Sequence, residues 1–221
     1  MEVLMVRRGT GAIFSSKLVF PGGVVDASDG SDEWLPHVSG AESLAVRERS
    51  LRIAACRELY EEAGVLVGSH PHPQAQRPDE ATYFDRLKAA NAQVALDGVV
   101  PFGHWITPEG VSKRFDTYFY LCRAPKGAEA KSDGRETVNA EWVSPQKIIE
   151  RARDGERSIM FPTLLNLMRL AESPDLEAAL AAAAVRPLMA VTPRVERRGE
   201  VKFVTIPASA GYSLTEMQLF D

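Results

Sequence analysis

Two cysteines, Cys56 and Cys122, are too few for a disulfide framework and lack the spacing of a zinc site. Both fall in apolar patterns, which reads as buried thiols in a reducing compartment. No apolar run reaches 18 residues, so no membrane span is expected, and Met1-Glu2 opens no secretory signal. The closing Leu219-Phe220-Asp221 is not a peroxisomal address. The expected location is cytoplasmic. Positive charge is not in excess: 26 Lys and Arg against 30 Asp and Glu leave a net charge of −4. That balance argues against a broad nucleic-acid surface. Repeats and low-complexity tracts are absent beyond the alanines at 181–184. What remains is ordinary for a globular protein: 221 residues, 45% hydrophobic and 25% charged. The length suits one domain, or one domain with a small annex.

The chain is organised around Arg57-Glu58-Leu59-Tyr60-Glu61-Glu62-Ala63-Gly64-Val65. Leu51, Ala55, Leu59 and Ala63 recur at i+4, with Ile53, Cys56 and Tyr60 widening the stripe. This predicts a helix that ends near Gly64. Glu58, Glu61 and Glu62 then share a face, where their charges repel. A solvated acidic face with Arg57 pairing Glu61 would explain a lone Glu-Glu pair. Three carboxylates beside an apolar stripe and a terminating glycine suit a hard divalent cation with oxygen ligands, Mg²⁺ or Mn²⁺.

The stretch resembles the signature helix of the Nudix hydrolases. That pattern runs Gly, five residues, Glu, seven residues, then Arg-Glu-apolar-X-Glu-Glu-X-Gly-apolar, and Arg57 to Val65 match its second half throughout. Pro21-Gly22-Gly23 is similar to the turn that precedes the family's helix, and Asp29 stands six residues after Gly23. Arg57 follows Asp29 by 28 residues where the family has 8, an insert at about 30–49. Counted straight back from Arg57, the first glutamate position holds Arg49, which cannot bind a metal. The run from Trp105-Ile106-Thr107-Pro108 through Lys113-Arg114-Phe115-Asp116-Thr117-Tyr118-Phe119, like the insert, resembles the subgroup that includes the peroxisomal coenzyme A diphosphatases of animals.

Elsewhere the pattern predicts strands at 2–8, 17–20, 99–106, 115–122 and 141–143. Helices are expected at 41–48, 79–92, from Pro145, at 162–172 and at 174–185 capped by Ser173, followed by a hairpin turning at Arg198-Gly199. His70 and His72 lie in a proline-rich stretch without an acidic partner, a weak metal candidate. Arg194, Arg197 and Arg198 read as an exposed basic hairpin.

The expected class is α/β. The resemblance implies a Nudix fold, a mixed sheet between helices, in a single domain over 1–221 with a helical and hairpin extension at about 158–221. It implies a pyrophosphohydrolase acting on a nucleoside diphosphate derivative, coenzyme A or acyl-CoA first, then ADP-ribose or a dinucleotide. A non-catalytic nucleotide sensor is a third reading. Metal ligands would be Glu58, Glu61 and Glu62, with a carbonyl at Gly23. Glu136, six residues before Trp142, or a helix glutamate would be the base, and Arg57 would orient Glu58 or Glu61. Lys113 and Arg114 would meet the substrate's phosphates. Family members usually begin with a strand paired to the one at 2–8. Its lack predicts an open sheet edge there, covered by chain further upstream or by a second copy in a homodimer.

Overall fold

The structure is a computed structural model that describes residues 1–9, 16–69, 81–155 and 159–219. In chain order the elements are β1 (Val3–Arg8), β2 (Leu18–Val19), β3 (Val38–Ser39), α1 (Val46–Ala63), α2 (Tyr83–Ala90), β4 (Val94–Ala95), β5 (Val100–Ile106), β6 (Asp116–Leu121), β7 (Thr137–Val143), α3 (Pro145–Arg153), α4 (Phe161–Ala171), α5 (Leu176–Val185), β8 (Ala190–Val191), β9 (Arg194–Arg198), β10 (Val201–Thr205) and β11 (Glu216–Leu219). They make an α/β fold in two compact units. One comprises Glu2–Val100 with Cys122–Ser144, the other Pro101–Leu121 with the chain from Pro145 onward.

In the first unit β1 is a central strand. It pairs antiparallel with β7 along its length and with β2 at Val6 and Arg7. The open edge expected at 2–8 is therefore corrected at Val6 and Arg7, because the chain after the first turn folds back as β2. Leu4 and Val6 pack against Ala63 and Val65, at the C-terminal end of α1. That end is fixed by Gly64, whose φ of 69° is a conformation glycine adopts without a Cβ penalty, and whose N–H bonds to the Tyr60 carbonyl at 2.8 Å. The sheet and the carboxylate-bearing helix face are thus tied at one point.

The insert is structured. Two 3-10 turns, Ala27–Gly30 and Asp32–His37, carry Trp34 into the core, where its ring meets Phe84 edge-on at 4.8 Å and tilts over Tyr83 at 6.0 Å. Arg49 ties the insert to α1 through Asp32 at 2.9 Å and the Gly30 carbonyl at 3.2 Å. Residues 41–45 are not helical; α1 starts at Val46. α2 begins at Tyr83 because Thr82 and Asp85 form a reciprocal capping box. Its Tyr83 packs on Tyr60 at 5.8 Å and donates to the Val67 carbonyl at 2.6 Å. Both cysteines are free, and burial pushes their thiols up, Cys122 to about 11. His70 and His72 lie outside the described residues.

The second unit contains the sheet order β6-β5-β8, with β8 parallel to β5, and an antiparallel sheet β11-β10-β9. Its core is Trp105, Phe161, Leu165, Val191, Val204, Ile206 and Tyr212. α4 packs on α3. α5 is capped by Asp175, which accepts from the Ala178 N–H at 2.9 Å, not by Ser173. The hairpin of β9 and β10 turns at Gly199-Glu200, one residue from its expected place, and β11 is an additional partner. No described helix is long and apolar enough to cross a membrane.

Candidate active site

Arg57 is the hub. Its Nε and Nη2 clasp the two oxygens of Asp29, each at 2.9 Å, and Asp29 is fully buried. Nη2 also donates to the Val24 carbonyl at 2.9 Å. Nη1 reaches Glu58 Oε1 at 2.9 Å and Glu61 Oε2 at 2.8 Å. Burial pulls the guanidinium's pKa down, but Asp29, then Glu58, outweigh it and the net shift is upward. One side chain therefore locks the insert's first turn, the glycine turn and two helix glutamates together. Asp29 was visible in the sequence six residues after Gly23, but nothing in the spacing shows that the chain returns it to Arg57. Arg49 faces the insert, bonded to Asp32, and takes no part.

The glycine turn lies against the helix. Gly22 N–H donates to Glu62 Oε2 at 2.9 Å, and its carbonyl accepts from Arg8. A Cβ at Gly23 would collide with the Glu58 carboxylate, so only glycine permits this approach. Glu62 is 3% exposed. Its Oε1 lies 2.9 Å from Arg8 Nη2, an ion pair whose geometry gives no hydrogen bond, so that oxygen lacks a donor. Burial, opposed by Arg8 and the Gly22 N–H and reinforced by Glu58 and Glu136, pushes Glu62 up to about 7. Burial also raises Glu58, against Arg57 and with Glu61 and Glu136. Glu61 is the open member, its side chain 43% exposed.

Glu136 is exposed in the loop, one residue before β7, and its charge is felt by both Glu58 and Glu62. Asp133 shapes its loop by accepting from the N–H groups of Arg135, Glu136 and Thr137 at 2.8–3.1 Å. The buried Thr137 hydroxyl stands 2.9 Å from both the Glu62 carbonyl and Asp133 Oδ1. Asp133 and Thr137 had no role in the sequence reading. Lys113 and Arg114 belong to the other unit. They lie in the β5–β6 loop, with Arg114 Nε on the Thr107 carbonyl at 3.2 Å and Lys113 over Phe115 at 5.4 Å.

Among the described residues, no three His, Cys, Asp or Glu side chains stand gathered as a metal site. The glutamates are held instead by arginines, Glu58 and Glu61 by Arg57 and Glu62 by Arg8. The donor set nevertheless fits a hard divalent cation. It offers three carboxylates on one helical face, two of them raised by burial and like charge, and one oxygen without a hydrogen-bond donor.

Residues 41–170, more than half of the chain, match the NUDT19 Nudix domain. The chain belongs to the Nudix family. A protein of Caenorhabditis elegans named for the nudix hydrolases is 29% identical, over 79% of this chain and 57% of that protein. The acyl-coenzyme A diphosphatase NUDT19 of Gallus gallus is 27% identical, over 76% and 61%. This Nudix chain spans about three-fifths of the length of the curated relatives it matches. A crystal structure of a Nudix hydrolase from Alicyclobacillus acidocaldarius superposes with a TM-score of 0.69 at 26% identity, covering 84% of this chain and 90% of that one. Nudix hydrolases generally use divalent metal ions.

Proposed function

We propose that this Nudix chain hydrolyses a diphosphate linkage in a nucleoside diphosphate derivative, with coenzyme A or an acyl-coenzyme A as substrate. The carrying observation is the packing of the Gly22-Gly23 backbone onto Glu58 and Glu62, with Glu136 bearing on both. The choice of substrate is supported by relatives in chicken and human named acyl-coenzyme A diphosphatases. Mg²⁺ or Mn²⁺ held by Glu58, Glu61 and Glu62 would neutralise the diphosphate and polarise its phosphorus.

The chain's own residues do the rest. Arg57, anchored by Asp29, orients Glu58 and Glu61. Arg8 and the Gly22 N–H orient Glu62. Glu136 takes the proton of the attacking water as its oxygen bonds to phosphorus; the anhydride P–O bond breaks and its electron pair leaves on the departing phosphate. General-base help of this kind is worth ~10²–10⁴-fold. Lys113 and Arg114 carry the charge, and Arg114 the planar fork, suited to the substrate's phosphates.

Mass spectrometry of a coenzyme A digest tests the reading. Adenosine 3′,5′-bisphosphate and 4′-phosphopantetheine should appear, with no orthophosphate. Cleavage of ADP-ribose or a dinucleotide without phosphopantetheine would replace the substrate. Arg114→Ala should raise the KM for coenzyme A more than for 3′-dephospho-coenzyme A if Arg114 meets the 3′-phosphate.

A further inference from the structure

The second unit presents an open sheet edge. In the order β11-β10-β9, β9 stands at one side among the described residues, and its residues Arg194 to Arg198 are all exposed. Gly199 and Glu200 form the loop between the paired Arg198 and Val201. Residues flanking a two-residue loop turn their N–H and C=O toward each other, and the direction alternates along the strand. Val195 and Arg197 therefore point these groups away from β10. Val195 also lies on the core side of the sheet, opposite Val204, yet it is 58% exposed while Val204 is 7% exposed. An edge of this kind is a template for another strand.

Charge along an edge ordinarily keeps a second copy away. Here the order of the charges matters. Opposite residues of an antiparallel pair share a face, so a two-fold axis between two β9 strands passes through one residue position. Centred on Glu196, it sets glutamate against glutamate and Arg194 against Arg198. Centred on Arg194, Arg197 or Arg198, it sets that arginine against itself. Centred on Val195, it sets valine against valine, Arg194 against Glu196, and Arg197 against Pro193, with no like charges opposite. The outward N–H of Arg197 then meets the Pro193 carbonyl, which needs no N–H from the proline. Glu196 can take a further cation. Its side chain is 48% exposed and holds Arg198 at 3.2 Å, while Arg198 is held more closely by Glu216 at 2.9 Å.

We propose that two copies of the chain associate along this edge, β9 against β9 in the register centred on Val195, joining their sheets into one. The valine pair and the reciprocal Arg194–Glu196 pairs select the register, and the outward backbone groups of Val195 and Arg197 supply the hydrogen bonds. None of these residues has a role in the proposed hydrolysis, so the two readings stand or fall separately.

Sedimentation of the full chain over a concentration series tests it. The unmodified chain should pass from monomer to dimer. Arg194→Glu alone sets glutamates opposite each other, and Glu196→Arg alone sets arginines opposite, so each should raise the dimer's Kd by about tenfold. An equal mixture of the two variants restores opposite charges at both places and should dimerise like the unmodified chain. Both positions are exposed, so the melting temperature should hold. Val195→Cys should give a disulfide-linked dimer on oxidation, which the unmodified chain should not form. Arg197→Cys should not, because in this register its two copies stand roughly 13 Å apart along the strands, beyond disulfide reach. A chain that stays monomeric at its highest soluble concentration overturns the proposal. So does a dimer that Arg194→Glu leaves undiminished, or a mixture that fails to restore it.

Discussion

Asp29 and Gly23 show how much one residue can decide here. Asp29 is fully buried and paired through both oxygens, so Asp29→Ala strands the buried Arg57 charge. Breaking such a pair costs about 3–5 kcal/mol. The melting temperature should fall sharply, and turnover should fall further than the folded fraction because Arg57 no longer holds the glutamates in place. Gly23→Ala behaves differently. The added methyl meets the far end of the flexible Glu58 side chain, which swings aside at little energetic expense. Stability should hardly change while turnover collapses; retained turnover would show that Glu58 need not approach the turn. Arg57 and the glutamates were legible because their identities and spacing lie in one helix. The Asp29 pairing was not, because it joins positions 28 apart and depends on how the insert folds. The burial pattern within α1 was half legible. Ile53, Cys56, Tyr60 and Ala63 are buried as the stripe implies, but Leu51, Ala55 and Leu59 are only half-buried. Arg57 and Glu62 take buried places, since the glycine turn packs on what the sequence reads as a polar side.

Elements carry the site in two ways, one of which the sequence hides. Strands and most helices follow from periodicity and caps, down to the αL glycine that ends α1. The 3-10 turns of the insert do not, because their order comes from long-range anchors such as Trp34 on Phe84. Trp34→Ala should cost about 3–5 kcal/mol and loosen the turn bearing Asp29. The loop before β7 is likewise set by side chains, Asp133 and Thr137. Hydrogen bonds from three N–H groups and a hydroxyl outweigh the burial of Asp133 and hold its carboxyl below the usual aspartate range. A depressed folded pKa means stability that is fully present above the unfolded value near ~3.9 and lost as pH falls through the folded one. Thermal melts from about pH 5 downward should show that loss in the unmodified chain, and Asp133→Asn should flatten it. Thr137→Val tests the same loop at neutral pH. It removes the hydroxyl that bridges to the Glu62 carbonyl, at about 1 kcal/mol. If Glu136 is the base, kcat should drop with KM little changed. A change confined to KM would make the loop a binding element.

At the scale of the whole molecule, the carboxylates and their arginine and glycine supports lie in one compact unit, whereas the cations Lys113 and Arg114 lie in the other. A metal that holds Glu58, Glu61 and Glu62 should therefore act on the stability of the chain before any substrate is present. A cation that binds only the folded form stabilises it by about 2.7 kcal/mol at a hundred times its Kd. Mg²⁺ or Mn²⁺ should raise the melting temperature, and chelator should reverse the rise. Glu62→Gln preserves the shape and the Gly22 N–H contact but removes a negative ligand. Turnover should fall by orders of magnitude, and the metal-induced rise in melting temperature should shrink with it. These two readouts separate the ways of being wrong. An undiminished rise in the Glu62→Gln chain would place the stabilising cation elsewhere, whatever happens to turnover. A lost rise with near-normal turnover would make the cation a structural support and leave the chemistry to Glu136 and the arginines.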